Sequence, residues 1–121
     1  MKYIALIHNS PEGWQALSQA ERDQFDRDAD VFLEEITSSG ELLAGAVVLA
    51  NPANAKTVRV RGGKPSITDG PFPESKEVLA GYYTLDCESI ERATEIVTKD
   101  PAARHFAVEV RPIMHMTALD S

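Results

Sequence analysis

The sequence has little cysteine and lacks any long apolar run. Its 121 residues include one cysteine, Cys87, so no disulfide can form within the chain. The apolar run at the N-terminus ends at His8, which is too short for the core of a secretory signal, and no stretch is long enough to cross a bilayer. We therefore expect a soluble, cytoplasmic protein without a membrane partner, since a lone thiol is compatible with a reducing compartment.

Positive charge is scarce as well. The chain carries 12 Lys and Arg against 19 Asp and Glu, a formal net charge of −7, and its cations form no dense patch. Nucleic acids and anionic membranes are bound by clustered cations. Neither is therefore expected as a partner.

Common motifs for catalysis, cofactor binding and metal binding are missing. There is no G-x-S-x-G elbow, no glycine-rich phosphate loop and no dinucleotide fingerprint. The three histidines, His8, His105 and His115, do not have the close spacing that is typical of metal ligands. We expect no metal and no cofactor.

One long helix is predicted from Ser18 to about Ser39. Ser18 with Glu21 three residues on forms a capping box, and Gly40 suits the position after the last turn. Apolar residues recur at helical spacing along one stripe. They are Phe25, Ala29, Phe32 and Ile36.

The remaining pattern predicts strands and a second helix. Strands are expected at 2–8, 42–49, 57–61, 65–68, 78–85 and 107–113, and the helix at about 89–99. This order is a split βαβ arrangement with an inserted hairpin. It predicts a ferredoxin-like α+β fold in one domain (1–121), with a mainly antiparallel sheet and two helices on one face. The tail 113–121 has no periodicity and is either mobile or docked on a partner.

Apolar residues on both faces of the predicted strands indicate a second copy. In the first strand Tyr3, Ala5 and Ile7 share one face, while Ile4 and Leu6 share the other. Two helices cover only one face of a four-stranded sheet, and soluble monomers rarely expose a large apolar face. We therefore expect a homodimer packed sheet to sheet.

The segment Thr68–Glu77 combines backbone rigidity with many charges. Asp69-Gly70 is a turn signal, and Pro71 and Pro73 fix φ. A stiff loop holds carboxylates at low entropic cost, which suits a ligand site. We assign an acid–base role to Asp69 and ligand binding to the loop residues Pro71, Phe72, Glu74 and Lys76. The alternative is that Asp69 only caps the turn and the other charges are only solvated.

Two further side chains are candidates for the site. His8 ends the first strand beside a Pro/Gly break, and its pKa range near neutrality suits a general acid or base; the alternative is a surface histidine. Tyr82 and Tyr83 point to opposite faces, one towards the core or dimer interface and the other towards a pocket. We assign Tyr82 to ligand binding. Cys87 is interpreted as a small packed residue rather than a nucleophile.

The segment Thr68–Glu77, followed by Gly81-Tyr82-Tyr83, resembles the signature of the DGPF group of YCII-related proteins. The similarity covers nearly the whole chain, including Met1–Ile4, Pro101–Arg104 and Val108–Pro112. It implies a ferredoxin-like fold that dimerises as an α/β barrel, and it implies little about activity. Better-studied YCII-like proteins have been proposed to use a histidine of the first helix with an aspartate. The first helix here has no histidine, so that pair is not carried over.

Two functions from different classes remain. The first is a small enzyme with a pocket between the sheet and the first helix, closed in part by the stiff loop, that binds a small polar molecule and performs acid–base chemistry. The second is a non-catalytic dimer that binds a small molecule or a protein in a regulatory setting. The resemblance adds some weight to the second, because relatives of this group are often associated with alternative sigma factors.

Overall fold

The computed structural model describes residues 1–70 and 78–115. The strands are β1 (Lys2–Asn9), β2 (Leu42–Val48), β3 (Lys56–Arg61), β4 (Lys64–Asp69), β5 (Val78–Asp86) and β6 (Ala107–Pro112). The helices are α1 (Pro11–Ala16), α2 (Gln19–Ser38), α3 (Ile90–Thr98) and α4 (Pro101–His105), with a 3₁₀ turn at Pro52–Asn54. Within these residues, no helix has the length and apolar character needed to cross a membrane.

Four of the strands form one antiparallel sheet in the order β2-β5-β1-β6. Strands β3 and β4 pair only with each other in a separate two-stranded sheet. Their turn uses Gly62 and Gly63 at positive φ, a conformation that glycine adopts without steric cost. The predicted α+β fold, with its split βαβ order and inserted hairpin, is confirmed.

Helix α2 begins and ends where its sequence predicts. The Ser18 hydroxyl accepts from the Glu21 N–H at 3.1 Å, and the Glu21 carboxylate accepts from the Ser18 N–H at 2.9 Å. Gly40 follows the last turn with a φ of 78°. These bonds satisfy backbone groups that a helix end would otherwise leave unpaired.

The core lies between the sheet and the helices α2 and α3. From the sheet it takes Tyr3, Ala5, Tyr83 and Leu85, each at most 2% exposed. From the helices it takes Phe32, Ile36, Ala93, Ile96 and Val97. We call this side of the sheet the helix face. The opposite side, which carries Ile4, Leu6, Tyr82 and Thr84, is the outer face.

The chain after α3 differs from its prediction. The helix stops at Thr98 as expected, since the residue before Pro101 resists the α conformation. A second short helix, α4, then begins at once, with Asp100 as its N-cap and Pro101 in its first turn. Asp followed by Pro is both a stop for one helix and a start for the next.

Two local features flank α2 in the sequence. The six-residue helix α1 precedes α2, and Ser10 caps it by accepting from the Gly13 N–H. Strand β2 lies at the edge of the sheet, where only β5 flanks it, and its residue Val48 is 87% exposed in the single chain.

Candidate functional site

A cavity of about 540 Å³ lies between α2 and the helix face, near the end of β1. Its wall is mainly apolar, and Phe25, Ala29 and Leu33 of α2 form one side of it. The loop after β2 and the start of β5 form the other side. A volume of this size is typical of sites for small organic molecules.

A buried acid, Asp100, is part of this wall. Asp100 is 5% exposed and Tyr83 is 2% exposed. The Tyr83 hydroxyl donates to Asp100 Oδ2 at 2.7 Å, and the Ala102 N–H donates to Oδ1 at 2.8 Å. The N-cap of α4 therefore fixes the carboxyl group against the central strand of the sheet.

Burial changes the proton affinity of both partners. It raises the pKa of Asp100 above its usual value, against the opposing effects of the bonds from Tyr83 and Ala102 and of the nearby Arg104 charge. Burial, followed by the charge of Asp100, raises the pKa of Tyr83 as well. The Asp100 carboxyl accepts both of these hydrogen bonds and donates neither. When Asp100 is protonated, its O–H group can therefore donate a hydrogen bond to a ligand. The pair can therefore act as a donor when protonated and as a base when ionised.

Aromatic packing holds α1 beside the cavity. Trp14, which lines the cavity, packs edge-on against Phe25 with ring centroids 5.3 Å apart. Arg22 of α2 donates to the carbonyl oxygens of Trp14 at 3.2 Å and Gln15 at 3.0 Å. These contacts fix the short helix, which is too short to be stable alone.

Three of the residues predicted for the site are described, and they do not line this cavity. His8 Nε2 lies 3.1 Å from Glu109 Oε1 in a partly exposed pair. The side chain of Asp69 is 81% exposed and pairs with Lys56. Tyr82 projects from the sheet side opposite Tyr83, beside Leu6 in the strand register. None of these three is among the residues that line the cavity.

The predicted ligand residues Pro71, Phe72, Glu74 and Lys76 lie outside the described residues. Val78, which directly follows that segment, lines the cavity. The roles assigned to this loop, to His8 and to Tyr82 stay predictions.

Sequence reasoning missed Asp100 and Tyr83. Asp before Pro ends one helix and is also an N-cap signal for the next, and this second signal would have drawn attention to the Asp100 carboxyl. Tyr83 was recognised as facing the opposite side from Tyr82, but no local pattern indicates that it bonds a residue 17 positions further along.

No group of three or more His, Cys, Asp or Glu side chains in residues 1–70 and 78–115 is arranged to hold a metal ion. Cys87 is buried, and burial raises the pKa of its thiol. A raised pKa lowers the thiolate fraction at neutral pH, which makes this cysteine a poor nucleophile.

Comparison with known proteins gives the family. The model of the YCII-related domain matches residues 1–117, and this chain therefore belongs to the YCII-related family. It is similar to an uncharacterised protein of Rhizobium meliloti (strain 1021), with 31% identity over 118 residues that cover 93% of this chain and 92% of the relative.

A solved structure shares the fold. It is the 5-chloro-2-hydroxyhydroquinone dehydrochlorinase of Burkholderia phenoliruptrix AC1100, in complex with 2,5-dihydroxybenzoquinone. The TM-score is 0.55 with 16% identity, and the alignment covers 97% of each chain. At this identity the likeness establishes the architecture alone.

Proposed function

We propose that the protein binds a small, largely apolar molecule in the cavity between α2 and the helix face, and that Asp100 exchanges a proton with a polar group of that molecule. The observation that carries the proposal is a buried carboxyl with a raised pKa in the wall of a cavity of about 540 Å³. Desolvated acids are costly in a core and are frequent in active sites. The mainly apolar wall favours a largely apolar ligand over the small polar molecule expected from the sequence.

The chemistry is proton transfer to or from a hydroxyl or enol group. Tyr83 holds the carboxyl in place through the bond to Oδ2, and the Ala102 N–H holds the other oxygen. An apolar ligand that fills the cavity displaces water from the carboxyl, which strengthens the hydrogen bond between ligand and carboxyl. The structurally similar dehydrochlorinase is named in complex with 2,5-dihydroxybenzoquinone, so that dihydroxylated ring is a suitable first probe.

Two single substitutions test the assignment by calorimetric titration with 2,5-dihydroxybenzoquinone and hydroquinone. Asp100→Asn keeps the helix cap, because Asn is as good an N-cap as Asp, and removes the titratable group. We expect it to weaken binding by about tenfold or more, the loss typical of a hydrogen bond to a charged or titrating group. Asp69→Asn, at the exposed acid predicted from the sequence, is the control and should leave binding unchanged. The reverse pattern would contradict the proposal.

We also propose that two chains pair through the outer face. Leu6 lies opposite Tyr82 in the strand register, and the helices α2 and α3 pack on the other side of the sheet. Light scattering at micromolar concentration should give twice the mass of one chain, and Leu6→Asp should reduce it to the mass of one chain. A wild-type protein that scatters as a monomer would contradict this pairing.

A further inference from the structure

The amide of Asn9 is an unpaired polar group at the cavity. Asn9 is the last residue of β1 and lines the cavity. Its Oδ1 atom is shielded from solvent and has no hydrogen-bond partner among residues 1–70 and 78–115. A buried acceptor without a donor destabilises the fold, so its presence calls for an explanation.

Two nearby backbone donors on α1 are already used. The Gly13 N–H donates to Ser10 Oγ at 2.9 Å, and the Trp14 N–H donates to the Ser10 carbonyl at 3.2 Å. The oxygen lies close to α1, since a Cβ built on Gly13 would be 3.6 Å from Asn9 Oδ1. Within residues 1–70 and 78–115 this acceptor has no partner, and the soft terminal torsion of Asn allows the oxygen to turn towards a ligand in the cavity.

A second asparagine in the same wall gives the contrast. Asn51 also lines the cavity, but its Oδ1 accepts from the Ala53 N–H at 2.9 Å and caps the 3₁₀ turn. Its oxygen is occupied by the backbone. Of these two asparagines, only Asn9 has an oxygen without any donor among the described residues.

We propose that Asn9 determines ligand specificity by accepting a hydrogen bond from a donor group, such as a hydroxyl, on the bound molecule. The inference rests on the proposed function, because it concerns the same cavity. Together with Asp100 it defines a ligand class: an apolar ring that carries two polar groups, one of them a hydrogen-bond donor for Asn9. Ligands that carry only an acceptor or a methyl ether at that position are discriminated against, because the amide oxygen then stays unpaired.

Replacement by leucine separates a binding role from a structural one. Asn9→Leu keeps a similar volume and removes the unpaired acceptor, so the ligand-free melting temperature should rise by roughly 3–6 °C. Asn51→Leu is the matched control, and it should lower the melting temperature because it removes a cap. A fall in the melting temperature of Asn9→Leu would mean that Asn9 is structural, and would overturn the inference.

Binding of hydroquinone and 4-methoxyphenol supplies the second readout. The two probes differ by one methyl group that removes one hydroxyl donor. Wild type should prefer hydroquinone by about tenfold, and Asn9→Leu should bind both alike. If wild type binds both probes alike, the inference on Asn9 fails while the proposed function stands. If neither probe nor 2,5-dihydroxybenzoquinone binds wild type, the proposed function fails and the inference fails with it.

Discussion

The two faces of the four-stranded sheet each carry a hydrogen-bonded polar pair, and the two pairs differ in their exposure to solvent. On the helix face, Asp100 and Tyr83 form a hydrogen-bonded pair that is almost fully buried. On the outer face, His8 and Glu109 form a pair whose side chains are 31% and 47% exposed. A similar distance joins each pair, but burial removes the solvent that screens the exposed one. The comparison supports the proposals that the helix face holds the acid–base group and that the outer face pairs with another copy.

The largest effect is expected from the core under the cavity. Phe32 is 4% exposed and packs edge-on against Tyr83, with ring centroids 5.8 Å apart. Phe32→Ala should lower the free energy of unfolding by about 3–5 kcal/mol, because it leaves a void between helix and sheet. Val31→Ala, next to it on α2 and 56% exposed, should change it by less than about 0.5 kcal/mol. Urea denaturation measures both, and equal losses would show that α2 does not pack as described.

A second comparison uses the two adjacent tyrosines. Tyr83→Phe removes the hydroxyl that donates to Asp100 and leaves a buried acceptor underused, so the free energy of unfolding should fall by about 1–3 kcal/mol. Tyr82→Phe makes the same change on the outer face and should cost less than about 0.5 kcal/mol. Urea titrations of the two variants measure the difference. A larger loss of unfolding free energy in Tyr82→Phe than in Tyr83→Phe would contradict the stabilising role assigned to the Tyr83 hydroxyl.

The pH dependence of stability isolates Asp100. Because its folded pKa is raised, the folded protein holds this proton more tightly than the unfolded chain does. The stabilising contribution is complete below the unfolded pKa of about 3.9 and is lost as pH rises through the folded pKa. The stability of wild type relative to Asp100→Asn should therefore fall as pH rises above about 4. Denaturant titrations of both proteins across this range test it, and a difference that grows with pH would have the wrong sign.

The smallest effect is expected from the outer-face pair. His8→Ala removes the contact with Glu109, and its cost should stay below about 1 kcal/mol, as for other partly exposed pairs. Because His8 does not line the cavity, the affinity for hydroquinone should not change. A tenfold loss of affinity in this variant would indicate that the ligand site includes His8, as the sequence predicts.

The architecture is predictable because helix caps and turns each depend on a few residues that are neighbours in the sequence. The capping box of Ser18 and Glu21 defines the start of α2, and the Gly62-Gly63 turn defines the hairpin of β3 and β4. The strand order follows from these elements by known connection rules. The helix α4 was missed because its cap, Asp100, also ends the preceding helix.

The site was less predictable because it depends on burial. Asp100 resembles any loop acid in the sequence, and only the tertiary packing of α4, which contacts α2 and β6, buries it beside Tyr83. Asn9 likewise reads as a loop residue until its oxygen is seen to lack a partner. Asp69 attracted attention through its motif, yet its side chain is exposed. A motif shows where charged residues cluster in the sequence, whereas burial determines which of their side chains has a shifted pKa.

The titration of the Asp100 carboxyl carbon by ¹³C nuclear magnetic resonance tests the central claim most directly. Asp100→Asn identifies the signal by its disappearance. We expect the signal to titrate with a pKa above about 3.9, the usual value for aspartate, and to respond when hydroquinone is added. A pKa at or below that value, with no response to any probe, would contradict the assignment of Asp100 as the acid–base group of this cavity.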